Sequence, residues 1–102
     1  MSHDFIFHIK HPGPRPAYYL VAEHLWGRGC NIDSDGNSHT PEDTLWTELT
    51  LSLRDKSSER IDINPLSIEP LVLAVSSSQE SLGWQAAQFI VNCSGGVLER
   101  HA

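Results

Sequence analysis

The stretch PLVLAVSSSQESLGWQAAQFIVNCSGGVLE, residues 70–99, decides the fold, because it predicts a strand, a helix and a second strand in succession. Residues 71–75 form an uninterrupted apolar run, which is typical of a strand covered on both faces. Pro70 disfavours a helical conformation where the chain enters this run. Two strands joined by one helix should run parallel, with a right-handed crossover. The stretch therefore predicts a βαβ unit.

The helix within this stretch has an amphipathic pattern and two predicted ends. Ser77 and Glu80 stand in the S-x-x-E register of a capping box, in which each side chain accepts a hydrogen bond from a free backbone amide. Gly95 supplies the left-handed conformation that helix ends favour. Gly83 is unfavourable in a helix interior by about 1 kcal/mol relative to Ala. We expect Leu73, Phe89 and Ile90 to be fully buried. The apolar stripe of the helix consists of Leu82, Ala86, Phe89, Ile90 and Cys93.

The first part of the sequence predicts a strand, a helix and a long loop. Residues 4–11 alternate between apolar and polar side chains, which is typical of a half-buried strand. Residues 17–26 fit either a helix or a strand, and we favour a helix because it places four apolar side chains on one face. Residues 27–43 contain three glycines and few apolar side chains, which predicts a loop that is long for a compact domain. The apolar helix face consists of Tyr18, Val21, Ala22 and Leu25.

The middle of the sequence predicts a β-hairpin. Leu and Thr side chains occupy alternate positions from residue 45 to residue 53, which indicates a strand. Residues 54–60 are polar and predict the turn. Ile61 and Ile63 begin the partner strand, which Pro65 is expected to end because proline cannot donate a ladder hydrogen bond.

Together these elements predict one α+β domain over residues 1–102. The expected architecture is a two-layer sandwich, in which two helices cover one face of a mixed sheet of four or five strands. The nearest named topology is the ferredoxin-like arrangement, from which this chain departs by an extra strand. That comparison concerns architecture alone, because such folds carry many unrelated functions.

Composition indicates an ordinary globular protein, with 39% hydrophobic and 20% charged residues. The first residues lack the apolar centre of a signal peptide, and no apolar run approaches the roughly 20 residues of a membrane-spanning helix. Cys30 and Cys93 do not form the pattern of a secreted disulfide scaffold. We therefore expect a reduced, cytoplasmic protein that does not bind membranes.

The distribution of charge argues against binding to nucleic acid. The net charge is −6, and residues 31–102 carry four cations against eleven carboxylates. Proteins bind phosphate backbones through clustered Lys and Arg side chains, and this sequence contains no such cluster. A basic protein partner suits the charge better.

Two patterns resemble metal sites but are incomplete, so we expect no metal and no cofactor. The run from Asp33 to Asn37 looks like the start of an EF-hand calcium loop. Ser38 stands where that loop needs glycine, and Thr44 stands where it needs a bidentate Glu. No two histidines have the spacing of a zinc motif on a helix. The histidines are His3, His8, His11, His24, His39 and His101.

Cys30 is the candidate nucleophile, because a thiol beside Arg28 in a flexible loop can have a lowered pKa. It would need a base, such as His24 or His39. The glycines around it lack the strand-to-helix context of a nucleotide-binding loop. Since no set of residues in this sequence has the spacing of a catalytic site, we expect a protein that is not an enzyme.

The predicted binding residues are an acidic cluster and Trp46. The four carboxylates lie within eleven residues that contain no Lys or Arg, so their fields add and favour a basic partner. Trp46 is out of phase with the leucines of its predicted strand, where an exposed indole could anchor a contact, and Trp84 is the second choice. The acidic cluster comprises Asp33, Asp35, Glu42 and Asp43.

The favoured function is that of a small, acidic, intracellular protein-binding domain. An inhibitor or an immunity-like protein that occludes a basic partner is one form of it. The first alternative is a regulatory domain that binds a small ligand, and the second is a small enzyme that uses Cys30 or histidines. The sequence is also compatible with formation of a homodimer.

Overall fold

The computed structural model describes residues 4–100, which form one six-stranded sheet and two helices. The elements are β1 (Phe5–Lys10), α1 (Tyr18–Trp26), β2 (Ile32–Gly36), β3 (Leu49–Leu53), β4 (Arg60–Ile68), β5 (Leu71–Ser77), α2 (Glu80–Ser94) and β6 (Val97–Arg100). The strands lie in the order β2-β3-β4-β5-β1-β6, and every neighbouring pair is antiparallel. Within these residues no helix is both long and apolar enough to cross a membrane.

The α+β class is confirmed, whereas the predicted mixed sheet of four or five strands is wrong. β5 and β6 run in the same direction, because both are antiparallel to β1. They are not neighbours, since β1 lies between them. The two strands of the βαβ unit are therefore separated by β1, which is antiparallel to both of them. For this reason the sheet contains no parallel pair of neighbouring strands. The sixth strand is β2, which falls inside the predicted loop.

One face of the sheet carries the hydrophobic core. The register places Phe7 opposite Val75 and Ile9 opposite Leu73, and the same face continues through β4 and β3. The helices cover this face, with α2 against β1, β4 and β5 and with α1 against α2 and β3. The predicted helix over residues 17–26 is thus confirmed. The largest fully buried side chains are Trp46, Phe7, Ile9, Leu51, Ile61, Ile63, Leu73, Ile90, Val21 and Val75.

The buried face of α2 is rotated from the predicted stripe. Leu73 and Ile90 are fully buried, as expected. Phe89 is only partly buried, and Cys93 is exposed, so their predicted place in the core is wrong. Phe89 stacks on His24 of α1, with the ring centroids 4.4 Å apart. The residues that α2 buries are Leu82, Gly83, Ala86, Ala87 and Ile90.

Gly83 explains why this face is turned toward the sheet. A Cβ atom at Gly83 would lie 3.1 Å from Cε2 of Phe7 and 3.3 Å from Cβ of Ser77. Because packed interiors have little free volume, a larger side chain would push the helix away. The glycine that helix propensity disfavours therefore lets α2 pack closely against Phe7 and Ser77 of the sheet.

The predicted capping box of α2 is wrong. Ser77 is the last residue of β5, and its hydroxyl donates to the carbonyl of Arg60 at 2.7 Å. The same hydroxyl accepts from the amide of Gln79 at 3.1 Å. Gln79 is the N-cap and makes no side-chain capping bond. The serine therefore joins β5 to β4 at the start of the helix instead of capping it.

The predicted hairpin is present with different limits. β3 begins at Leu49, and Leu45 is 69% exposed, because residues 45–48 leave the sheet. β4 passes through Pro65 and ends at Ile68. A register shift between Pro65 and Ser67 accommodates the proline, which is the usual way for a sheet to hold one.

Candidate functional site

The edge strand β2 is the main departure from the expected fold, and it carries two of the predicted binding residues. Asp33 and Asp35 lie in this strand, which pairs with β3 from Ile32 to Gly36. Within residues 4–100, no strand lies on its other side. Edge strands present backbone amides and carbonyls on which another chain can pair.

Two hydrogen bonds at the ends of β2 fix which backbone groups point outward. The amide of Asn37 donates to the carbonyl of Glu48 at 3.2 Å, and the amide of Arg54 donates to the carbonyl of Asn31 at 3.0 Å. Antiparallel pairs alternate between hydrogen-bonded and non-hydrogen-bonded, so the odd-numbered residues of β2 face β3. The even-numbered residues face the open edge, and they are Ile32, Ser34 and Gly36.

One of these three outward amides is already occupied. The amide of Gly36 donates to Oδ1 of Asp35 at 2.8 Å. Gly36 also packs against the carbonyl oxygen of Glu48 so closely that a Cβ atom would clash with it. The carbonyl of Ile32 is also occupied, since it accepts from Nη2 of Arg54 at 3.3 Å. The groups that Ile32 and Ser34 leave free at the edge are therefore their two amides and the carbonyl of Ser34.

A groove runs along the helix side of β2. It has a volume of about 300 Å³ and lies between Tyr18, Tyr19 and Ala22 of α1 and the side chains of Ile32 and Ser34. A smaller hollow of about 200 Å³ adjoins it, since the two share Tyr18 and Ser34 as lining residues. We call the outward backbone of β2 together with this groove the β2 edge site.

The groove is open because small residues occupy the helix side of β2. Ser34 lies opposite Leu51 and Gly36 lies opposite Leu49, both of which are buried core residues. Directly opposed residues share a face of the sheet. Ser34 and Gly36 thus continue the core face with side chains too small to fill the space beneath α1.

The acidic cluster is divided between two places, and one of its members is neutralised. Nε and Nη2 of Arg54 donate to Oδ1 of Asp33 at 3.0 and 2.8 Å. The expectation that the four carboxylates lack compensation is therefore wrong at Asp33. Asp35 and Glu23 form no ion pair with any residue in the range 4–100. Glu23 also lines the groove.

The other two acidic residues lie in the connection between β2 and β3. Asp43 accepts the backbone amides of His39 and Leu45 at 2.9 and 2.7 Å. These two hydrogen bonds are the main cause of its lowered pKa, and the charges of His39 and Arg15 lower that pKa further. Asp43 therefore holds its loop in shape, while Glu42 is exposed.

Trp46 is not the exposed anchor that the alternation predicts. Its side chain is 1% exposed, and its Nε1 donates to the carbonyl of Pro16 at 2.8 Å. Because residues 45–48 leave the sheet, the indole turns under the segment that precedes α1. Trp84, the second choice, is 43% exposed and meets the ring of Phe7 edge-on at 5.6 Å.

The features considered for catalysis and metal binding do not converge. Cys30 lines the groove, and its thiol donates to the carbonyl of Ala22 at 3.7 Å. His24, one of its candidate bases, stacks on Phe89 instead. Within the described part of the chain, no three His, Cys, Asp or Glu side chains are placed to hold a metal ion. His3 and His101 lie outside the described residues.

Comparison of the chain with protein-family models, with curated proteins and with solved structures finds no match. The geometry of the β2 edge site is therefore the basis of the functional argument. Tyr18, Tyr19 and Ile32 line this site but are not among the predicted binding residues. No local sequence pattern marks them as binding residues, because the groove forms only where α1 and β2 come together.

Proposed function

We propose that the protein is a protein-binding domain that takes up a basic segment of a partner at the β2 edge site. The observation that carries this proposal is the coincidence of an open strand edge with an adjoining groove. Domains that bind peptides by strand addition use this combination, in which main-chain hydrogen bonds provide affinity and a side-chain groove provides specificity.

Charge supports a basic occupant. Asp35 and Glu23 border the site without ion-pair partners in residues 4–100, and the chain as a whole carries a net charge of −6. Complementary charge raises the rate of encounter and disfavours wrong partners. An inhibitor or immunity-like protein that covers a basic surface would use the same edge.

The two cysteines support an intracellular setting for this binding. Both Cys30 and Cys93 are free, and free thiols persist in reducing compartments. A cytoplasmic partner is therefore part of the proposal.

The test is an NMR titration of the isotope-labelled protein with two blocked heptapeptides, KVKVKVK and EVEVEVE, at low ionic strength. We expect the basic peptide alone to shift the amide signals of β2 and α1. Asp35→Asn should weaken its binding about two- to fivefold, as loss of one exposed charge pair would. The matched control is Glu99→Gln, which removes a carboxylate from β6 at the opposite sheet edge. Equal binding of both peptides, or no binding of either, would contradict the proposal.

A further inference from the structure

Resting on the proposed function, we infer that the partner segment adds to β2 as an antiparallel strand in which small apolar residues alternate with Lys or Arg. Ile32 and Ser34 offer two amides to a new strand, and Ser34 also offers its carbonyl, whereas the carbonyl of Ile32 already accepts from Nη2 of Arg54 at 3.3 Å. The amide of Gly36 is held by Asp35, so the ladder is confined to these two residues. The segment recognised by the backbone is therefore short, and its register is limited.

The pleat of the sheet determines which residues of the partner segment should be apolar. In an antiparallel addition, the ligand residues opposite Ile32 and Ser34 direct their side chains to the helix side of the sheet. There they meet the groove beside Ile32 and the smaller hollow beside Gly36. Residues two apart in a strand are separated by about 6.8 Å, which lets successive apolar side chains enter the two adjoining spaces. The two spaces have volumes of only about 300 and 200 Å³, which favours short side chains such as Val.

The face of the sheet opposite the helices determines which residues of the partner segment should be basic. Ligand residues between the apolar ones direct their side chains to the face that carries Asp33 and Asp35, away from the helices. Asp33 is already paired with Arg54. Asp35 has no cation beside it in residues 4–100 and reaches over the edge to the amide of Gly36. The ligand position nearest Asp35 should therefore select Lys or Arg most strongly.

The antiparallel orientation decides which ligand amides are used. Opposite an outward-facing residue such as Ser34, an antiparallel ligand places a residue whose own amide and carbonyl face β2. In the peptide KVKVKVK these are the valines, because the valines occupy the groove. A parallel ligand would instead turn the lysine amides toward β2. Antiparallel pairing is slightly more stable per residue, and all five pairings of this sheet are antiparallel.

The test compares four blocked heptapeptides in the same NMR titration. They are KVKVKVK, the block peptide KKKKVVV of equal composition, and two forms of KVKVKVK with methylated backbone nitrogens on either the valines or the lysines. Methylation of the valine amides should weaken binding more than about tenfold, since these amides can no longer donate to the edge and the methyl groups also clash with it. Methylation of the lysine amides should be tolerated. The block peptide should bind several-fold more weakly than the alternating one.

A variant of the protein gives the complementary measurement. Ser34→Pro removes an outward amide, and proline is accepted on strand edges where the lost amide faces away from the sheet. It should abolish the preference for KVKVKVK over KKKKVVV. The matched control Ser34→Ala keeps the amide and should keep the preference. The peptide series on the unchanged protein remains decisive if Ser34→Pro does not fold.

The outcomes separate this inference from the function on which it rests. If all four basic peptides bind equally well, the domain binds basic segments through charge, and strand addition is wrong. If methylation of the lysine amides is the damaging change, the orientation is parallel and the inference is wrong. If no basic peptide binds, the proposed function fails together with the inference.

Discussion

Arg15 and Trp46 are joined by a buried hydrogen bond, in which Nε of Arg15 donates to the carbonyl oxygen of Trp46 at 2.8 Å. The indole of Trp46 in turn donates to the carbonyl of Pro16. Arg15 also reaches the carbonyl of Gly13 with Nη1 at 3.0 Å. The proline-rich segment before α1 and the irregular residues before β3 are thus held together at a point where neither has regular secondary structure.

Removal of the Trp46 side chain should strongly destabilise the protein. Trp46→Ala should lower the free energy of unfolding by about 3–5 kcal/mol, because it leaves a cavity in the core. Trp46→Phe retains most of the apolar volume and should cost less, although it leaves the carbonyl of Pro16 without its donor. Chemical denaturation measures both. Trp84→Ala is the matched control, since Trp84 is 43% exposed. An equal cost for the two alanine variants would contradict the packing of Trp46.

Substitution of Gly83 should destabilise the protein although it improves helix propensity. Gly83→Ala gains up to about 1 kcal/mol in propensity, but its Cβ atom would lie 3.1 Å from the ring of Phe7. Overpacking of a core typically costs about 1–3 kcal/mol, so we expect a net loss of stability. The control is Gln85→Ala, on the exposed side of α2. If thermal denaturation shows that Gly83→Ala is more stable than wild type, then α2 can shift away from the sheet without a loss of stability.

Asp43 should make the stability of its loop depend on pH at the acid end. Its pKa is lowered in the folded state, chiefly by the amides of His39 and Leu45. The stabilisation is therefore fully present above the ordinary Asp pKa, about 3.9, and is lost as the pH falls through the lower folded pKa. Asp43→Asn should lower Tm at neutral pH, and the difference from wild type should shrink as the pH falls. The control is Glu42→Gln in the neighbouring exposed residue, since the two amides are held by Asp43. An equal loss of Tm in both variants at neutral pH would contradict the role of Asp43.

Cys30 should report occupancy of the groove. It lines the groove, whereas the second thiol, Cys93, is exposed near the end of α2. In Cys93→Ser, binding of KVKVKVK should slow alkylation of Cys30 by iodoacetamide in proportion to the bound fraction. In the reciprocal variant Cys30→Ser, the same peptide should leave the rate at Cys93 unchanged. Unchanged alkylation of Cys30 at saturating peptide would place the peptide outside the groove.

Elements with one buried face were predictable, whereas β2 was not. The alternation in β1 and β3 reports burial on one side, and the stripe of α1 reports contact with the core. β2 has the sequence IDSDG and only Ile32 is partly buried, so the strand carries no burial signal. Its existence depends on pairing with β3, which is a tertiary property.

The candidate site was predictable only in its charge. Asp33 and Asp35 were identified because like charges cluster in the sequence, and they do lie on the edge strand. Arg54 lies far from Asp33 in sequence, so its ion pair could not be anticipated. Trp46 was misplaced because local alternation cannot show where a strand begins. The groove required two elements whose contact no local pattern encodes.

The position of β1 between β5 and β6 constrains how the sheet is assembled during synthesis. β1 is made before β2, β3 and β4, whereas both of its neighbours, β5 and β6, are made after them. During translation, Phe7 and Ile9 therefore lack their strand partners until β5 and β6 have left the ribosome. Long-range pairing of this kind slows folding and prolongs the exposure of apolar segments to neighbouring nascent chains.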